Sequence, residues 1–505
     1  MTVDLNAAYQ LPAAPTVAER LDAGELDADE AYNTYPAPTK PMEVARRLVA
    51  ELFTQAGHHV LKWWRQRWWE YTGSSWQMVS EELEIRAPIW QRLEQVTYLT
   101  KEGMKPWSPT PSRVTSIMEP LKILLLLNER TEAPTWLDDE PHEPGHYVAM
   151  TNGLFNLTTN TLHPHTPAYF TTWGLEFDYN PQATSPRWQQ FLNEVFAHDP
   201  AAANLLQEWA GYLISGATNR HKALLVVGKP RAGKGTITRL LHQLIGHGNS
   251  SSTNLRLLGS DHGLEPLIGK PLAVIEDARD NSQATGNSAA VETLLNIIGE
   301  DTVLINPKGK PMWSGKLPAR FVIMSNVLPR FVDPAAAIAT RFVGFTLEKS
   351  FLGKEDRNLD TKLNAELSGI FLWALEGLHR LKTNDGFTTP ATQKELLENL
   401  EETAAPIKSF LEDCYTITGN KEDYVPRKEV FAQSERWRAD NGYGRVNAKT
   451  LEGAINALGI PGVEAKNTWV DGKRDRYVFG IVPKNNDFTV WNTHGTHMEH
   501  VRNIA

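Results

Sequence analysis

Four short apolar runs, Ala223 to Val227, Leu272 to Ile275, Phe321 to Met324 and Phe342 to Leu347, are nearly continuous rather than alternating, the pattern of buried strands. Between and before them the period lengthens to that of helices. Met42 to Gln55, Trp188 to Phe196, Asn204 to Ile214 and Thr236 to Ile245 all repeat their apolar positions on one helical face. Trp63 to Tyr71, followed by Thr72-Gly73-Ser74-Ser75-Trp76, reads as a hairpin rich in aromatics. Its tryptophans are expected to form a packed core; the competing reading is a platform on which nucleic-acid bases stack. Past Thr403-Ala404-Ala405-Pro406 the pattern starts afresh. Ile407 to Thr416, Arg427 to Asn441 and Asn447 to Leu458 read as helices, and Thr468 to Val470, Asp471-Gly472 and Tyr477 to Phe479 read as a hairpin. The pattern as a whole predicts an α/β protein of several domains.

One turn between these elements carries chemistry. Gly228-Lys229-Pro230-Arg231-Ala232-Gly233-Lys234-Gly235-Thr236 follows the first apolar run and opens a helix, the context of a phosphate-binding loop. Its glycines let backbone N–H groups face a triphosphate at a helix N-terminus, and Lys234 reaches the β- and γ-phosphates. The residue after the lysine is Gly235 instead of the usual hydroxyl residue, so the Mg²⁺ contact falls to Thr236 or to a water in its place. The run Leu272 to Ile275 ends in Glu276-Asp277, the carboxylates that an ATPase needs for Mg²⁺ and for the attacking water. Glu276 is expected to hold the metal and Asp277 to polarise the water, or the reverse. The third run ends in Ser325-Asn326, where an amide can hold the lytic water.

The order GKPRAGKGT, AVIED, NPKGKPMWSGKLPARFVIMSNVLPRF and ATRFVGFTLEKSFLGKED resembles the superfamily 3 helicases. The similarity is greatest to the helicase half of phage and plasmid primase-helicases related to the poxvirus uncoating-and-replication ATPase. NGLFNLTTNTLHPHTPAYFTTWGLEFDYNP upstream and ELSGIFLWALEGLHRL downstream share it, so the resemblance extends over roughly residues 45 to 485. It implies an AAA+ type P-loop ATPase core at 201–390, behind a collar domain at 41–200. It also implies a homohexameric ring that uses ATP and Mg²⁺ to move 3′ to 5′ on single-stranded and forked DNA. In that family Asn306 to Lys316 is a hairpin in the central channel, where Lys308 and Lys310, with Lys316 at its base, would grip phosphates without reading sequence. Arg341 corresponds to an arginine finger inserted into the neighbouring subunit's site, with Arg330 as the competing candidate and a pairing with Asp333 or Glu355 as the structural alternative.

Composition and charge adjust this picture. The net charge of −9 is concentrated in residues 1–30, where seven acids face one arginine, leaving −3 for the rest. With prolines following, residues 1–40 are expected to be a disordered acidic tail. Asp27-Ala28-Asp29 has the spacing of a primase metal site, but nothing around it would build the sheet to hold one, and a primase-polymerase module is not evident. A separate primase or polymerase is therefore the expected partner. Residues 405–485 read as a winged helix whose wing carries Lys473, Arg474 and Arg476 for DNA, with protein docking as the alternative, and 486–505, with His494, His497 and His500, as a frayed tail. A single cysteine, Cys414, excludes an intrachain disulfide, and no apolar stretch is long enough for a bilayer. The expected location is the cytoplasm of a bacterial host. A nucleotide kinase also carries G-K-G-T, but has no use for the Asn326 strand, the lysine hairpin or the C-terminal module. An ATP-driven initiator or remodelling ring that does not unwind is the closer alternative.

Overall fold

The computed structural model describes residues 27–139, 142, 146–260, 262–276, 287–308, 312–329, 331, 337–354, 356–404, 406–441, 443, 445–470 and 473–484. They form two compact units, one built mainly from residues before 175 and one mainly from 175 onward. No helix among the described residues is long and apolar enough to cross a membrane.

In the first unit, helices Pro41–Leu52 and Pro111–Leu124 turn their apolar stripes, Val44, Ala45, Leu48 and Val49 on one and Val114, Ile117, Met118 and Leu121 on the other, into a single core. The aromatic segment forms a three-stranded antiparallel sheet, Leu61–Trp64, Arg67–Tyr71 and Trp76–Val79. Its first turn is made by Arg65 and Gln66 at φ of 48° and 59°, the left-handed pair that a two-residue hairpin requires. Arg65 steadies this turn by lying over the Trp64 ring and donating to the Glu129 carbonyl and the Glu132 carboxylate. Trp64, Trp69 and Trp76 pack with Phe170, with Trp76 fully buried. The aromatics are therefore core, as the packing reading expects, and three of these rings offer no face to a nucleic acid.

Order begins earlier than the charge pattern implies. Asp27 caps the helix Ala28–Tyr32 in a reciprocal box with Glu30, so the first carboxylate of the Asp27-Ala28-Asp29 triplet serves a helix end. Tyr35 is buried, and its hydroxyl and that of Tyr32 donate to Glu51, which Arg92 also holds. The expectation of a disordered tail to residue 40 is thus corrected from residue 27 onward: buried Tyr35 and the hydroxyl bonds of both tyrosines to Glu51 supply the anchors that the acidic composition obscured.

The second unit is built on a five-stranded parallel sheet. In chain order its strands are β1 (Ala223–Gly228), β2 (Ser250–Thr253), β3 (Leu272–Glu276), β6 (Arg320–Ser325) and β7 (Phe342–Leu347); β4 (Val303–Ile305) and β5 (Trp313–Gly315) form a separate antiparallel hairpin. The spatial order is β2-β3-β6-β1-β7. Helix α4 (Asn287–Ile298) covers the face carrying Leu225, Ile275 and Ile323, while the alternate residues Leu224, Val226, Val274 and Val322 are equally buried, so both faces are covered. Helix α3 (Lys234–Ile245) leaves the loop after β1, and helices α1 (Pro186–Val195), α2 (Pro200–Ile214) and α5 (Leu367–Thr383) complete the layers.

Helices α2 and α5 cross at glycines. A methyl group at Gly377 would lie 2.2 Å from the Gln207 carbonyl oxygen, and one at Gly211 would lie 2.4 Å from that of Ala374. The crossing buries Glu208 completely, and its carboxylate accepts from Arg380 and from the backbone and hydroxyl of Thr388, each at 2.6 Å.

The C-terminal segment comprises α6 (Pro406–Cys414), β8 (Tyr415–Ile417), β9 (Tyr424–Pro426), α7 (Arg427–Asp440), α8 (Ala448–Ala457), β10 (Glu464–Val470), β11 (Lys473–Phe479) and β12 (Ile481–Pro483). Its helices and hairpin share one core, with Cys414 packed against it. The first helix is shorter than expected, because Tyr415 to Ile417 pair with β12 as a strand.

The glycine crossing gives a paired stability test. Gly377→Ala should lower the unfolding free energy by about 1–3 kcal/mol, because its methyl meets backbone that cannot move aside. Gly453→Ala, on α8 with open space around it, should be neutral or add about 0.5–1 kcal/mol. Denaturant melts of both variants check this; equal effects would mean the crossing is looser than its geometry.

Candidate functional site at the strand tips

All five strands of the sheet run the same way, so their C-terminal ends share one edge. β1 delivers the phosphate loop there. Gly228 is tightly placed: a Cβ on it would lie 2.7 Å from the Leu347 Cβ and 2.8 Å from the Leu347 carbonyl oxygen. The loop bends through Arg231 at φ 60° and Gly233 at φ 99°, and Gly233 caps α3 in the left-handed region. The first bond of α3 runs from the Ile237 N–H to the Gly233 carbonyl, leaving the N–H groups at the helix start without intrahelical acceptors. Lys234 Nζ donates to the Gly228 and Lys229 carbonyls at 2.5 and 2.8 Å, which holds the ammonium inside the curve of the loop, the place expected for β- and γ-phosphates.

The sheet order brings the other predicted groups beside the loop. Val227 lies opposite Ser325 in register, so Asn326 emerges on the strand next to the loop. Glu276 ends β3, one strand further out, opposite Met324. Its carboxylate is exposed and makes no hydrogen bond or ion pair with a described residue. Thr236 is the third residue of α3 and half-buried. A carboxylate and a hydroxyl are hard oxygen donors of the kind that Mg²⁺ takes while keeping waters and substrate phosphates as its other ligands, so these residues fit that ion. Asp277 lies outside the described residues.

Two features of this edge have no signature in the motifs. The chain leaving β7 continues alongside the loop in the same direction: the Lys229 N–H donates to the Leu347 carbonyl, Ser350 Oγ to the Pro230 carbonyl and the Phe351 N–H to the Arg231 carbonyl. Ser325 Oγ and Thr253 Oγ1, at the tips of β6 and β2, are buried with no hydrogen-bond partner among the described residues. That Ser325 precedes the amide was visible in the sequence; its lack of a partner was not.

Arg341 is not at this site. It precedes β7, and its carbonyl accepts from the Ala223 N–H at the opposite end of β1. A six-residue strand spans about 16–20 Å, so Arg341 does not complete the site of its own chain. It shares that edge with Lys222, which donates to the Thr340 carbonyl and whose ammonium is pulled below its usual range by burial and by the Arg341 charge. Arg330, Asp333 and Glu355 lie outside the described residues.

The remaining cations divide. Lys308 and Lys316 are exposed at either end of the β4–β5 hairpin, and Lys310 lies outside the described residues. The hairpin is tethered by His262, whose ring contacts the Asn306 carbonyl at 2.6 Å, and by the Glu265 carboxylate, which accepts from the Lys308 N–H. Arg474 is exposed on β11 opposite Trp469, itself 67% exposed. Lys473 begins that strand. Arg476 is engaged: Glu452 of α8 holds it together with Arg427. Its expected role on DNA is therefore shared with, or replaced by, fixing the hairpin to α8. The histidines near the C-terminus lie outside the described residues.

With the geometry in hand, the chain can be compared with known proteins. Residues 52–197 match a family described as D5 N terminal like, and residues 226–340 match a family of unknown function, DUF5906. Among solved structures, the apo structure of the NrS-1 C terminal region (305-718) is 17% identical, covers 63% of this chain and 83% of its own, and has a TM-score of 0.39. An A form apo structure of the same NrS-1 C terminal region is 16% identical, covering 62% and 86%, with a TM-score of 0.35.

On the phosphate-loop expectation, Lys234→Ala should abolish ATP hydrolysis and leave the fold intact, since the change removes an ammonium held at the loop by the Gly228 and Lys229 carbonyls and not a core group. Glu276→Gln should lower hydrolysis by a factor of about 100 or more, with Mg-nucleotide affinity falling alongside it if Glu276 holds the metal and kept within about tenfold if Glu276 polarises the water. Nucleotide binding measured beside turnover checks both; near-normal hydrolysis by either variant would remove that residue from the site.

Proposed function

We propose that the chain is an ATP-dependent DNA helicase of phage, prophage or plasmid replication, acting as a homohexameric ring that translocates 3′ to 5′ on single-stranded DNA. The observation that carries this reading is the meeting of the phosphate loop, Asn326 and Glu276 at one sheet edge while Arg341 stands at the other. In a ring, one subunit's Arg341 edge can face the next subunit's loop edge, which is what an arginine finger requires. The order β2-β3-β6-β1-β7, with the Asn326 strand between the loop strand and the Glu276 strand, is that expected of an AAA+ core. The D5 N terminal like match upstream of the loop supports the same reading. In this scheme the first unit supplies the collar, and α6 to β12 a winged helix.

The chemistry is hydrolysis of the γ-phosphate. Lys234 and the N–H groups at the start of α3 take charge from the β- and γ-phosphates, and the Asn326 amide orients a water in line with the γ-phosphorus. The water attacks, its proton passes to Glu276 or Asp277, and ADP leaves. Mg²⁺, held by Glu276 with Thr236 or a water, would neutralise the developing charge. The hairpin cations Lys308, Lys310 and Lys316 supply sequence-blind phosphate contacts, and Arg474 a contact to duplex.

The reading is tested by ATP hydrolysis with and without single-stranded DNA, together with strand displacement on a forked duplex. Stimulated hydrolysis without displacement would favour an initiator or remodelling ring. Two further expectations distinguish the parts. Lys308→Ala with Lys310→Ala should keep basal hydrolysis and lose its stimulation by single-stranded DNA; retained unwinding would count against the hairpin. Mixing Lys234→Ala protein with Arg341→Ala protein, each deficient by about a thousandfold alone, should restore partial hydrolysis that depends on the subunit ratio. No recovery in mixed rings confirmed by mass measurement would place Arg341 outside catalysis.

A further inference from the structure

A second consequence of the sheet order rests on the nucleotide reading above and concerns where the base lies. β1 is flanked by β6 on one side and β7 on the other. The groups suited to the γ-phosphate, Asn326 just beyond β6 and Glu276 at the end of β3, are both on the β6 side. A triphosphate seated in the loop with its γ-end toward them must point its nucleoside toward β7. The chain after β7 waits there, hydrogen-bonded along the loop from Leu347 to Phe351. These bonds use the backbone of Phe351 and leave its ring to other work. That ring is half-buried, with the Lys349 ammonium 5.0 Å from its centroid, and Leu352 beside it is 75% exposed. Lys349 also donates to the Glu194 carbonyl near the end of α1, which fixes the segment from a second side.

We propose that Phe351, with Leu352 beside it, is the platform on which the nucleobase of the triphosphate stacks. A planar base lies on the ring face opposite Lys349 or takes the ammonium's place. Ser350, the one hydroxyl in the segment Lys349 to Gly353, is committed to the Pro230 carbonyl, so recognition here is by stacking and apolar contact rather than by the base's hydrogen-bonding edge. ATP and GTP should consequently bind with affinities within about fivefold, since both purines present the same π-face.

The experiment uses the full chain and calorimetric binding of Mg-ATP and of Mg-tripolyphosphate, which lacks base and sugar. Phe351→Ala should weaken ATP about tenfold and leave tripolyphosphate unchanged, and Phe351→Trp should keep ATP affinity near the wild-type value. Equal weakening of both ligands would mean that the ring only shapes the phosphate loop, and unchanged ATP binding would mean that the base lies elsewhere; either result overturns the platform. Failure of the wild-type chain to bind either ligand would instead overturn the phosphate-loop reading on which the platform rests.

Discussion

Everything at the candidate site depends on how β1 is held between its two neighbours. Parallel pairing with β6 and β7 lets backbone approach backbone at the loop's entrance, with no room for a side chain at Gly228 against Leu347. The contact sets the height at which the loop leaves the sheet, and the register with β6 then sets where Asn326 emerges. A residue with a Cβ at position 228 would push the loop away from β7 and undo the bonds that Lys229, Pro230 and Arg231 make to the chain that follows β7. The geometry of the candidate site is thus a consequence of sheet register, and its side chains are placed by strands that are themselves buried on both faces.

The layer behind the sheet is fixed by polar groups that have no other way to be satisfied. Arg320 is fully buried at the start of β6, and its guanidinium donates to the Leu213 and Gly216 carbonyls at the end of α2. Burial pushes that guanidinium down to about 10, yet it stays charged at neutral pH and faces the helix end where cations are favoured. Glu208, one helix turn and more before those carbonyls, is equally buried and fully engaged by α5 and Thr388. The C-terminal end of α2 is therefore pinned to the Asn326 strand and its middle to α5. Breaking either would leave an uncompensated charge in the interior, which is costlier than losing an apolar contact.

The motifs were legible because they are local. A glycine loop between a strand and a helix, a carboxylate pair closing an apolar run and an amide closing another each declare themselves within ten residues, and the strands carrying them were readable from their unbroken apolar runs. What escaped depends on contacts between distant segments. The brace from Ser350 and Phe351 to the loop spans more than a hundred residues of chain, and the pairing of Arg476 with Glu452 was hidden because both looked like solvent-facing charges. The acidic N-terminal segment misled for a related reason: composition registers the carboxylates, whereas its order from Asp27 onward comes from two tyrosines meeting Glu51 and Arg92. For the tryptophan hairpin, either reading of the aromatics gives the same alternation; only Phe170, arriving from far along the chain, decides for the core.

Arg341 is where topology constrains function most. From sequence it sits a short way past Asn326 and could be drawn into the same site. The strand order forbids this, because β6 and β7 both run toward the phosphate loop and Arg341 lies before β7 begins. The chain must travel the full length of a strand before returning to the nucleotide edge, and no side chain covers that distance. A guanidinium at that position either takes part in the site of another copy or takes no part in catalysis. The charges around it bear on the choice: burial, and then the nearby Arg341 charge, lower the affinity of Lys222 for a proton, and like charges gathered at one edge favour a partner that brings negative charge. Under the proposed ring, a triphosphate in a neighbouring phosphate loop would be such a partner: the β1 that would hold one nucleotide at its C-terminal end presents, at the other, cations suited to the next.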